Sequence, residues 1–196
     1  MEAPERLGEV VQASTDRFTA QCYRLYGAPP LGSLVRAGER EPHVYGIVSS
    51  VTTSSLDPTR PVVARGASEP TEEAIYRSNP QLERLLRTDF EAMTVGHTQD
   101  GTIHQYLAPL PPHIHAFVFR CTPDEVRAFT QRLDFLPLLV GARTPPGDEV
   151  LAACLREAAS AHDQPTEFLV QAGRKLALLL GGEMQRLNTI LRRLPL

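Results

Sequence analysis

The chain has 196 residues, 42% hydrophobic and 22% charged, with a formal net charge of −3, enough apolar material for one medium domain or a small domain with an appendage. No apolar run approaches the roughly 18 residues of a membrane span, and the acidic Met1–Glu9 lacks the apolar stretch of a signal peptide. The composition therefore excludes membrane helices and wholesale disorder and predicts a soluble, cytoplasmic protein.

Gly8 to Ala13 alternates apolar and polar residues, Ser14-Thr15-Asp16 turns, and Phe18 to Tyr23 resumes with period two, which predicts a first hairpin. After the Pro29-Pro30 break, Gly32-Ser33-Leu34-Val35-Arg36 and the run from His43 to Val51 read as the third and fourth strands, on either side of an exposed turn at Gly38-Glu39-Arg40-Glu41-Pro42. Pro61-Val62-Val63-Ala64-Arg65 predicts a fifth, shorter strand, with proline at the first position, where a missing donor does least harm. Helix starts at Ser68-Glu69-Pro70-Thr71-Glu72-Glu73 and Asn79-Pro80-Gln81 predict two short helices, an insertion over about residues 68–88. Phe90 to His97 and Ile103 to Leu107 flank Gln99-Asp100-Gly101-Thr102. Asp-Gly between alternating runs predicts a type I′ hairpin, because both central residues need positive φ. That register pairs Gln99 with Thr102, Thr98 with Ile103 and His97 with His104. Ile114 to Phe119, after the Pro109-Leu110-Pro111-Pro112 break, is the last expected strand.

Helical patterning dominates the remainder. Thr122-Pro123-Asp124-Glu125 combines an N-cap, a proline at N1 and first-turn acids, opening a helix to about Leu133. Thr144-Pro145-Pro146-Gly147-Asp148 reads as a linker, Glu149 to Ala161 is amphipathic, and Pro165-Thr166 opens a long final helix. Its apolar stripe includes Leu169, Ala172, Leu176, Leu179, Met184, Leu187, Ile190, Leu191 and Leu194. Gly181-Gly182 inside it costs roughly 1 kcal/mol per glycine relative to alanine, so a kink or split is expected there. The predicted fold class is α+β: a closed or nearly closed antiparallel β-barrel of about six strands over residues 5–121, with the helical insertion, and a C-terminal helical region over 122–196.

Gly8-Glu9-Val10-Val11, the Gly32-to-Arg36 step and Val44-Tyr45-Gly46-Ile47-Val48 resemble the HAS-barrel, the small barrel shared by HerA-type DNA-translocating ATPases and rotary ATP synthase subunits. The stretches from Gln81 to Arg87 and from Ile114 to Phe117 are also similar to small standalone bacterial HAS-barrel proteins. The resemblance covers roughly Leu7 to Cys121. It implies an assembly collar that joins protomers in a ring or docks a partner above a motor, and it brings no catalytic residues or cofactor. The motor's own signature is missing: a P-loop needs Gly-x-x-x-x-Gly-Lys-Ser/Thr to hold phosphates, and the single lysine sits in Gly173-Arg174-Lys175-Leu176.

Two groups of residues are candidates for a site. His97 and His104 face each other across the hairpin, and His113 and His115 share one face of the last expected strand. Four imidazoles on neighbouring strands could bind zinc; as a plain polar outer face, they would instead leave His115 satisfied by a backbone carbonyl. Arg186, Leu187, Ile190, Arg192 and Arg193 in the final helix combine an apolar stripe with basic residues, which suits either a core-facing helix with a favourable C-terminal dipole or a surface that binds a protein partner. Nucleophilic chemistry has little support, because Ser49, Ser50, Ser54 and Ser55 lack the Gly-x-Ser-x-Gly turn. The three cysteines, Cys22, Cys121 and Cys154, are too scattered for a disulfide framework. The stretch from Thr166 onward carries a net +3 and the rest of the chain −6, the chain as a whole has a pI of about 6.1, and aromatics are 6%, which disfavours a freestanding nucleic-acid binder. The leading expectation is a non-enzymatic adaptor that docks, alone or as a homo-oligomer, onto a ring-shaped ATPase or nucleic-acid-processing complex of HerA type. A zinc-binding protein or enzyme built on the histidines, and a barrel that binds single-stranded nucleic acid, are the alternatives.

Overall fold

The computed structural model describes residues 4–142 and 147–195. Seven strands are found among them: β1 (Arg6–Ala13), β2 (Arg17–Cys22), β3 (Leu34–Ala37), β4 (Val44–Ser55), β5 (Leu86–Gln99), β6 (Thr102–His104) and β7 (Phe117–Arg120). They form one antiparallel sheet in the order β2-β1-β7-β3-β4-β5-β6, and a further β2–β5 pairing brings the order back on itself. The result is ring-like. A ring held only by antiparallel pairs needs an even number of strands, so six of the seven complete it and β6 hangs outside on β5. The long β5 makes this possible by sharing one edge, pairing with β2 over Asp89–Met93 and with β6 over His97–Gln99.

One expected strand does not form. Pro61–Arg65 has strand composition but is unpaired, with Val62 and Val63 exposed. The Asx turn at Asp57, whose Oδ1 accepts from Thr59 N at 2.9 Å, and the bond from Leu56 N to Leu85 O at 2.8 Å carry the chain into an excursion rather than a ladder. The expected helical insertion is present as α1 (Glu72–Ser78), capped by Thr71, and α2 (Leu82–Leu85). Neither helix buries a residue.

Alternation along the strands produces two cores. Val10, Phe18, Ala20, Val35, Val44, Val48, Phe90, Ala92 and Val118 point into the ring, and Gly46 leaves room there for Phe18, whose ring would lie 2.8 Å from an added Cβ. Leu34, Tyr45, Ile47 and Val95 point outward, but they too are buried, because the helices cover that face. Both faces of β3 and of the first half of β4 are thus apolar, giving continuous rather than alternating burial.

The covering helices are α3 (Pro123–Thr130), α4 (Leu136–Val140), α5 (Gly147–Ala159), α6 (Pro165–Leu179) and α7 (Met184–Leu191). The expected start of α3 is a capping box, with Thr122 and Glu125 each accepting from the other's backbone. The expected split at Gly181-Gly182 separates α6 from α7, Gly182 taking a φ of +111°. Of the expected linker, Thr144–Pro146 lie outside the described residues, and Gly147 and Asp148 begin α5. The expected boundary between residues 121 and 122 falls within a shared core, since sheet and helices contribute to one apolar cluster. Gly32, with a φ of +85°, brings the loop before β3 against the backbone of α5, 2.4 Å from where a Cβ would lie. Among the described residues, no helix is long and apolar enough to cross a membrane.

Candidate functional site

The β5–β6 hairpin builds one end of the ring. Asp100 and Gly101 both have positive φ, 51° and 73°, and the register pairs His97 with His104, Thr98 with Ile103 and Gln99 with Thr102, as the turn chemistry predicts. The two imidazoles stack with centroids 5.1 Å apart, and the Tyr106 ring lies 5.2 Å from each. His97 is 2% exposed, with Nδ1 3.4 Å from Tyr106 O, while the Tyr106 hydroxyl lies 3.2 Å from His104 Nδ1.

The segment that follows, residues 105–116, arches over this end. Gln105 pins its start: its side-chain amide donates to Phe129 O and, at 2.9 Å, to Arg132 O, and its Oε1 accepts from Asp134 N at 2.7 Å. Ala108 and Pro112 are buried and anchor the arch, while Leu110 between them is 74% exposed. Tyr106, Leu107 and Ile114 are exposed beside it. Beneath the arch is a cavity of about 620 Å³, walled by the Gly38–Pro42 turn, His97, His113 and the prolines of the arch. Three prolines in four residues hold this apolar crest in shape, since each fixes its own φ.

The four histidines do not converge. His97 and His104 sit together and His113 reaches the far wall of the cavity, but the last strand begins only at Phe117, so His113 and His115 do not alternate on a strand as expected. His115 has a φ of +66° and its ring nitrogen lies 3.0 Å from a Glu9 carboxylate oxygen, rather than against a backbone carbonyl. Among the described residues, no three His, Cys, Asp or Glu side chains are arranged to hold a metal ion.

The candidates in the final helix divide between core and surface. Leu187 and Ile190 are buried in the core beneath the helices. Arg186 is occupied internally: its guanidinium donates to Asp148 at 2.8–3.1 Å and to Val140 O at 2.9 Å, tying α7 to the ends of α4 and α5. Arg193 pairs with Glu149 at 2.6 Å, and Arg192 is exposed. Of the two readings of the final helix, Leu187 and Ile190 follow the core-facing one, while Met184 is exposed.

A second, wider hollow of about 920 Å³ lies where β3 and β7 meet α3 and α5. Two cations line it: Arg36 is already engaged by Glu125 at 2.8 Å and Gly38 O at 3.0 Å and lies over the Phe119 ring, and Arg120 lies 3.7 Å from a Glu157 carboxylate oxygen. Cys121 and Cys154 line it, but burial pushes the Cys154 thiol up to about 12 and Cys121 well above its usual range. Both remain protonated at neutral pH and are poor nucleophiles. Ser49 donates to Glu91 O at 3.2 Å, with no imidazole beside it. Among the tyrosines, Tyr23, Tyr26 and Tyr106 are exposed, but Tyr26 is bonded to the Tyr76 hydroxyl at 2.6 Å. Phe18, Phe90, Phe129 and Phe135 are core.

No protein-family model matches the chain, and no curated protein matches its sequence. The residues that the sequence reading missed are Tyr106, Leu107, Leu110 and Ile114. Their signal was the apolar residues interleaved with prolines, which reads only as a break until their exposure is seen.

Proposed function

We propose that the protein is a non-enzymatic assembly module of HAS-barrel type that docks through the arch over residues 105–116. The observation that carries this reading is the crest itself: Leu110, Ile114, Tyr106 and Leu107 are each exposed on one proline-stiffened segment. Exposed apolar groups held rigid lose little entropy on binding, which favours a protein partner. The sheet order that returns on itself supports the resemblance to the barrel, and a cytoplasmic ring-shaped ATPase or nucleic-acid-processing complex of HerA type is the partner that resemblance suggests.

The test is affinity capture of the tagged full chain from native lysate, read by mass spectrometry. Recovery of a ring-forming ATPase or its nuclease, lost with Leu110→Glu/Ile114→Glu, is the expected result. A chain recovered without any partner, or the same partner retained by the double variant, overturns the reading.

A further inference from the structure

Among the described strands, β6 and the second half of β4 are both open edges, and they are treated differently. β6 is three residues long, a short edge that offers little to pair with. The second half of β4 is not blunted. β3 covers β4 only over Val44–Ile47, and the loop before β3 adds bonds at Val48, where Gly32 N donates to Val48 O at 2.9 Å and Val48 N to Ser33 O at 3.0 Å. From there to Ser55 the strand pairs on one side only, with β5.

The direction of the open groups follows from the ladder. Leu56 N bonds to Leu85 O, so Ser54, Thr52 and Ser50, at alternate positions, turn their amide groups to β5. Val51, Thr53 and Ser55 then turn their N–H and C=O groups to the open side. Ser50 to Thr53 are exposed. Val51-Thr52-Thr53-Ser54-Ser55 contains no charge and no proline, the devices that usually keep such an edge from pairing.

We infer that this edge is the contact between two copies of the chain, β4 pairing antiparallel with β4 of a second copy about a two-fold axis at Thr53. The register is self-complementary. A two-fold at Thr53 sets Thr53 opposite its own copy and Val51 opposite Ser55, so every open group on the edge finds a partner. On the other face, Thr52 meets Ser54 of the second copy. Because β5 places Asp89 beside Thr52 and Arg87 beside Ser54, each row across the joined sheet runs from the Asp89 of one copy to the Arg87 of the other. Opposite charges therefore lie at the two ends of the row, and like charges do not. Within one copy Arg87 Nε already lies 3.1 Å from Asp89 Oδ2 as an ion pair, but outside hydrogen-bond geometry, and Asp89 Oδ1 is buried without a hydrogen-bond partner. Val51 in the seam and Leu56 and Leu85 beside it are exposed in the single chain.

The test is light scattering coupled to size-exclusion chromatography on the full chain at about 10–100 μM. The expected mass is twice the 21.6 kDa of the chain, falling to that of one chain in Thr53→Lys and Thr53→Pro. As a check that does not depend on those variants folding, Thr53→Cys should form a covalent dimer rapidly under mild oxidation and Thr52→Cys at least tenfold more slowly, since only position 53 faces itself. The three native cysteines are buried. A wild-type monomer throughout that range overturns the inference, whether the edge is free or occupied by a peptide of another protein. A dimer that persists in Thr53→Lys, with no preference for cross-linking at position 53, overturns it equally.

Discussion

Ile190 and Ile114 are the same side chain in two apolar segments with opposite fates. Ile190 is fully buried in α7, beneath a guanidinium that ties the helix to its neighbours; Ile114 stands half exposed in the arch over the ring. Both segments offer apolar residues and both lie near basic or histidine side chains. What separates them is whether the chain's own core has room to receive them. α7 packs against α5 and α6, whereas the arch is anchored by Ala108 and Pro112 and leaves Leu107, Leu110 and Ile114 exposed.

Truncating the two isoleucines gives the largest contrast. Ile190→Ala leaves a cavity in the helical core and should cost about 2–5 kcal/mol, whereas Ile114→Ser should change stability by no more than about 0.5 kcal/mol. Urea unfolding of the pair measures this; equal losses would erase the distinction. Arg186→Ala should come next, at about 1–2 kcal/mol, because Asp148 and Val140 O lose donors in a half-buried setting. A thermal melt lowered by Arg186→Ala and untouched by Arg192→Ala would confirm that only the first holds α7 in place.

A smaller effect is pH dependence. Burial, with help from Arg127, holds His162 below its ordinary 6.5, and burial with Arg36 does the same to His43. Each binds a proton more readily unfolded than folded. Their contribution is therefore complete above about pH 6.5 and is lost as pH falls through the lowered folded values. His162 sits in the helical half, stacked on Phe168 at 4.3 Å, so His162→Gln should flatten the decline in melting temperature on acidification. An unchanged slope in that variant would remove His162 from the explanation.

What the sequence revealed depended on how local the cause was. Asp100-Gly101 dictates its own turn, and the turn dictates which residues face across it, so the His97–His104 pair was readable. The capping box at Thr122 and the split at Gly181-Gly182 are local in the same way. The β2–β5 pairing that completes the ring joins Arg17 to Met93, and no short pattern encodes it. Pro61–Arg65 has the right residues for a strand, yet the turn at Asp57 carries the chain away from the sheet and leaves it unpaired. The α7 stripe has the right period for burial, but periodicity is silent about whether self or partner supplies the cover. At the arch, the prolines looked like an interruption because their role is to hold a surface, which appears only in three dimensions.

The central claim is that partners meet the arch and not the final helix. The most direct test is affinity capture from native lysate with two variants side by side, Leu110→Glu/Ile114→Glu on the arch and Arg192→Glu beside α7. The account predicts that the arch variant loses the captured partner while remaining folded, and that the Arg192→Glu variant retains it. Loss with Arg192→Glu and retention with the arch variant would contradict it.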